Sequence, residues 1–122
     1  MTPDYTSRVE GKYLVVDGIE LKLEFGLCSR PSACLARECA KFQGEVFIAK
    51  ANEEVDPKTK ERVVNYDQEV SAHSIMGIMT LEATVNSKLR LRIQNIEGAE
   101  RLMGRLHMGL TTFGDYYPYF GP

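Results

Sequence analysis

The chain has 122 residues, enough for one domain with a hydrophobic core that needs no metal or disulfide staple. Its formal charge of −2 leaves no electrostatic footprint for nucleic acid, and no apolar run approaches the roughly 20 residues that span a bilayer. The opening stretch MTPDYTSRVEGK holds no apolar signal core, so a cytoplasmic protein is expected.

Residues 12–16 (KYLVV) and 19–25 (IELKLEF) read as two strands joined by Asp17-Gly18, a dipeptide that commonly turns a hairpin. The second alternates, with Ile19, Leu21, Leu23 and Phe25 on one face and Glu20, Lys22 and Glu24 on the other. After Gly26 the period changes to that of a helix. Ser29 is the expected N-cap, Pro31 suits the first turn, and the helix should run to about Phe42 before Gly44 stops it. Ala33, Leu35, Ala36, Cys39 and Ala40 make its apolar face, opposed by Arg37, Glu38 and Lys41. The cysteines Cys28, Cys34 and Cys39 are spaced six and five apart, which argues against zinc and for free thiols in a reducing compartment.

Two further strands are expected at 45–51 and 62–72, joined by a charged connection around Asp56-Pro57 that should prolong their hairpin. A short helix capped by Ser74 follows, then an alternating strand at 87–94 and a last helix at about 97–108. This order, β-α-β-β-α-β-α, favours an α+β domain with helices on one face of a sheet. Leu21, Leu23, Leu89, Leu91 and Ile93 should lie buried together under Leu35, Cys39, Leu102 and Leu106. His73 and His107 read as solvated surface side chains, and the aromatic tail TTFGDYYPYFGP shows no periodicity.

Two segments resemble the signatures of the HPr family, the phosphocarriers of the bacterial sugar phosphotransferase system. The first is Gly26-Leu27-Cys28-Ser29-Arg30-Pro31-Ser32-Ala33, where the family has Gly-aliphatic-His-Ala-Arg-Pro-Ala. The second, Ser74-Ile75-Met76-Gly77-Ile78-Met79, is similar to the family's regulatory-serine motif. The resemblance covers residues 18–108, leaving an N-terminal extension (1–17) with an extra strand and a tail (109–122) outside it. It implies an open-faced β-sandwich with a mainly antiparallel sheet and helices on one face. Outside the resemblance, the Asp17-Gly18 hairpin should lay residues 12–16 along the sheet edge as the extra strand.

By that resemblance Cys28 occupies the carrier-histidine position, Arg30 the phosphate-stabilising one, and Ser74 the site of regulatory phosphorylation. The family's partner-binding surface would comprise Ser29, Ile75, Met76 and Met79. A residue ahead of a helix N-terminus is a natural phosphate site, and methionines suit adaptable docking surfaces. The expected function is regulatory: a protein-binding paralogue, without turnover of its own, that has lost the carrier histidine. The alternative is a phosphoryl carrier using the Cys28 thiolate as acceptor, with a redox thiol behind both. No cofactor and no metal are implied. The implied partners are phosphotransferase-system or carbon-regulation proteins, including the upstream enzyme and an HPr kinase.

Overall fold

Alternation of apolar and charged side chains builds the centre of the molecule. In the computed structural model, which describes residues 4–112, five strands form an antiparallel sheet. They are β1 (Arg8–Glu10), β2 (Tyr13–Glu20), β3 (Val46–Val55), β4 (Arg62–Ser71) and β5 (Lys88–Gln94), in the spatial order β1-β2-β5-β3-β4. The helices α1 (Ser29–Ala40), α2 (Ile75–Thr80) and α3 (Ala99–Thr111) cover one face, and their apolar residues share a core with that face. This is the expected α+β open-faced sandwich. In β5, Leu89, Leu91 and Ile93 point into the core, while Lys88, Arg90 and Arg92 alternate away from it. Leu21, Leu23, Leu35, Cys39, Leu102 and Leu106 join them there.

The other face of the sheet carries a polar and aromatic layer. The Arg92 guanidinium makes two parallel bonds to Glu69, at 2.6 and 2.8 Å, and Arg90 reaches the same carboxylate at 3.0 Å. Arg92 also lies over the rings of Tyr13 and Phe47, and Arg90 over that of Tyr66. Beneath this layer Val15 and Ala49 are fully buried. The two arginines hold the Glu69 carboxyl below the usual carboxylate range, against the opposing effect of burial.

Asp17-Gly18 is not a hairpin turn. β2 runs straight through it, pairing with β5 on both sides, and the register shifts between Val16 and Ile19. Gly18 alone has positive φ (66°), whereas the two-residue hairpin needs it at both positions. A glycine of this kind serves a β-bulge equally well, and apolar residues on both sides hold the strand against β5. The extra N-terminal strand exists, but it is Arg8–Glu10, turned by Gly11 (φ 60°) and laid along the outer edge of β2. Residues 13–16 are instead part of an internal strand.

The run 19–25 leaves the sheet after Glu20. Leu21 and Leu23 stay buried, held by Leu21 N–H to Ser87 O and Lys22 N–H to the Leu110 carbonyl, whereas Phe25 is 67% exposed. α1 ends at Ala40, short of Phe42, and its Ala33 and Ala40 do not reach the core. β3 and β4 form a longer ribbon than the apolar runs suggested, paired out to Val55 and Arg62 and turned by Asp56, whose Oδ1 accepts from the Lys58 amide at 2.8 Å. The last helix continues to Thr111, and residues 113–122 of the aromatic tail lie outside the described residues.

Candidate functional site

α1 begins where the chain leaves a tight approach between two loops. Gly26 has φ +69°, and a Cβ there would stand 2.2 Å from the Ala83 carbonyl oxygen. The same oxygen accepts the Leu27 N–H at 2.9 Å, so the loop is pinned one residue before Cys28. Cys28, not Ser29, is the N-cap: its backbone is extended (φ −75°, ψ −170°) and its carbonyl accepts the Ser32 N–H at 3.1 Å. Ser29 already lies in the first turn. The Cys28 thiol is exposed and makes no capping hydrogen bond. Pro31 and Ser32 are buried, and the Ser32 hydroxyl donates to the Leu27 carbonyl at 3.1 Å, which holds the helix start to the preceding loop.

Ser29 and Arg30 are exposed at this helix start, and no acidic residue occupies the first turn. An electropositive end with uncovered backbone donors is suited to an anion. Of the other thiols, Cys34 is half-buried against the core, and Cys39 is fully buried. Burial pushes the Cys39 thiol up to about 12. Among the described residues, no group of three or more His, Cys, Asp or Glu side chains could hold a metal ion.

α2 packs against α1 and β4. Ser74 caps it: its Oγ accepts the Gly77 N–H at 2.9 Å, and its carbonyl accepts the Ile78 N–H at 3.0 Å. Ile78 is the buried anchor of the helix. Ile75, Met76 and Met79 are exposed, Met76 to 73%. The chain then passes Leu81, buried, and reaches Ala83, whose carbonyl pins the loop before Cys28. The two sequence motifs are thus joined through the segment after α2. Gly26 was the available sequence signal for this contact, since a left-handed glycine tight against backbone tolerates no side chain.

The histidines separate. His73 is exposed, with Nε2 3.1 Å from the Gly44 carbonyl. His107 is not the solvated side chain expected: it is half-buried, its ring 4.6 Å from that of Tyr5, and burial lowers its pKa.

Comparison with known proteins bears on the family and the fold. The model of the family described as the PTS HPr component phosphorylation site matches residues 17–108. The chain is 28% identical over 89 residues to the HPr-like protein Crh of Bacillus subtilis, covering 73% of this chain and 87% of that protein. It is 32% identical over 78 residues to the HPr-like protein Crh of Halalkalibacterium halodurans, covering 64% and 75%. The crystal structure of the phosphocarrier protein HPr from Bacillus anthracis superposes with a TM-score of 0.60 at 24% identity, over 80% of this chain and 96% of that one. HPr-C-His from Thermoanaerobacter tengcongensis gives 0.56 at 23%, over 91% and 97%. At such identities the structural likeness speaks for the fold.

Proposed function

Because the chain belongs to the HPr family of the phosphotransferase system, we propose that it is a regulatory, partner-binding member in which Cys28 holds the carrier-histidine position. The observation that carries this reading is the build of α2, which buries Ile78 alone and presents Ile75, Met76 and Met79 to solvent. A six-residue helix with three exposed large apolar side chains has little structural reason to keep them unless another protein covers them. The proposed docking surface joins these residues to Cys28, Ser29 and Arg30. Its partners are cytoplasmic phosphotransferase-system or carbon-regulation proteins. No helix among the described residues is long and apolar enough to cross a membrane.

Ser74 is the proposed switch, phosphorylated by an HPr kinase. Its hydroxyl is exposed at the start of α2, and a phosphate there keeps acceptors for the Gly77 amide while adding about −1.5 to −2 charge beside the apolar patch. Docking of an acidic partner would be opposed. The test is partner affinity across wild type, Met76→Asp and Ser74→Asp: both variants should weaken binding at least about tenfold, which is 1.4 kcal/mol. Equal affinity in all three would remove this surface from consideration.

One feature favours a second reading, a phosphoryl carrier. Cys28 is an exposed thiol with no hydrogen-bonded cap, at the start of a helix next to Arg30. Attack of its thiolate on a donor phosphoryl group would form an S–P bond, break the donor's bond to phosphorus and leave the thiol proton in water. Incubation with the upstream enzyme and labelled phosphoenolpyruvate separates the readings. Label on wild type that is absent from Cys28→Ser would establish the carrier. Label accepted by Cys28→His alone would establish a scaffold disarmed by one substitution.

A further inference from the structure

At the other end of α1, about 18 Å along the helix from Cys28, its last turn and the first turns of α3 enclose a groove of about 440 Å³. Lys41 lines it from the α1 side, and Arg101 and Arg105 line it from α3. The two arginines are four residues apart and so share one face of their helix. Glu38 fixes the framework. Its carboxylate, 5% exposed, accepts from Arg105 Nε at 2.5 Å and lies 3.3 Å from Lys41 Nζ. Arg105 spends only Nε on that pair, so both of its Nη groups are without a partner among the described residues. Arg101 makes no hydrogen bond or ion pair among them.

The remaining lining sorts the ligand by shape. Phe42, half-buried, and Leu102, 6% exposed, give the groove apolar surface between its cationic sides. Gly98, the N-cap of α3, also lines it, so the positive end of the α3 dipole acts in the same sense as the arginines. Glu97 and the Glu38 carboxylate, which also lines the groove and pairs with Lys41 and Arg105, act against them and limit how much negative charge the groove can hold.

From the cations, the apolar floor and the volume, we propose that this groove binds a small organic anion with a flat apolar body, of the aryl phosphate class. The anionic head meets Arg101 and the Nη groups of Arg105, and the ring lies on Phe42 and Leu102. Guanidinium groups match phosphate oxygens in a two-point geometry that a lone ammonium cannot supply. This site is independent of the docking surface around Cys28 and α2.

Phenyl phosphate, inorganic phosphate, the full chain and its Arg101→Gln and Glu97→Gln variants test the site by amide chemical-shift titration. Arg101 and Glu97 are exposed, so neither substitution threatens the fold. Phenyl phosphate should give saturable shifts at Lys41, Phe42 and Arg101 with a dissociation constant of about 1 mM or below. Arg101→Gln should weaken it at least about fivefold, Glu97→Gln should tighten it, and inorganic phosphate should bind at least about fivefold more weakly. Shifts that do not saturate by about 20 mM, or that survive unchanged in Arg101→Gln, overturn the proposal. Equal affinity for inorganic phosphate would reduce the groove to an adventitious anion site and overturn it as well.

Discussion

The Leu27 amide donates to the Ala83 carbonyl at 2.9 Å, and this bond fastens the loop ahead of Cys28 to the segment that follows α2. Gly26 makes the approach possible. The carbonyl that receives the Leu27 amide leaves no room for a Cβ at position 26, so the position of the candidate site depends on a residue that takes no part in its chemistry.

Gly26→Ala should therefore act twice. The left-handed backbone costs an L-residue about 1–2 kcal/mol, and a Cβ 2.2 Å from backbone oxygen forces the two loops apart. Together the loss should be about 2–4 kcal/mol in denaturant unfolding. Gly18→Ala, also at positive φ but with nothing within 4 Å of the new Cβ, should cost only the backbone part. Equal losses in the two variants would show that the contact with Ala83 is not tight.

Much of this arrangement was legible in the chain, and what was not has identifiable causes. The alternation of Leu89, Leu91 and Ile93 has one structural solution, a half-buried strand, and β5 is that strand. Asp17-Gly18 has two, because a bulge and a turn ask for the same positive φ at glycine; only the apolar partners Leu91 and Leu89 across the sheet decide between them. The charge of Glu38 points to a solvated face, yet the side chain is buried. Helical period places it near Leu35 and Cys39, and what permits its burial is Arg105, 67 residues away. No local pattern encodes such a pair. Ser74 was legible as a helix cap and the start of α1 to within one residue, Cys28 taking the place expected of Ser29, but the connection of the two segments through Ala83 is a tertiary contact that spacing cannot reveal.

The three thiols should react in an order set by exposure. Cys28 is exposed, Cys34 half-buried and Cys39 buried. With its thiol pushed up to about 12, chiefly by burial, Cys39 would hold about one thiolate in ten thousand at pH 8 even if reagent could reach it. Iodoacetamide under native conditions should therefore modify Cys28 first, Cys34 more slowly, and Cys39 only on unfolding. Peptide mapping over time gives the order directly. Native-state alkylation of Cys39 at the rate of Cys28 would contradict the packing of α1 on the sheet.

The N-terminal segment should dock in a pH-dependent way. Tyr5 packs its ring 4.6 Å from that of His107 on α3, its hydroxyl close to Gly104, and the chain then runs on to β1 at the edge of the sheet. Burial lowers the His107 pKa, and Asp4 opposes the shift without cancelling it. The folded state therefore disfavours the imidazolium that the unfolded chain accepts near the ordinary value of about 6.5. Above that value His107 is neutral in both states, and its contribution to stability is constant. As pH falls through it, the unfolded chain takes up the proton first, so stability declines until the folded pKa is also passed. His107→Gln should remove this part of the slope, and Tyr5→Ala should uncover the ring and move its titration back up. Ring-proton NMR titration of wild type and Tyr5→Ala reads both pKa values. A His107 titration in wild type at or above that of Tyr5→Ala would show that Tyr5 does not shield the imidazole from water.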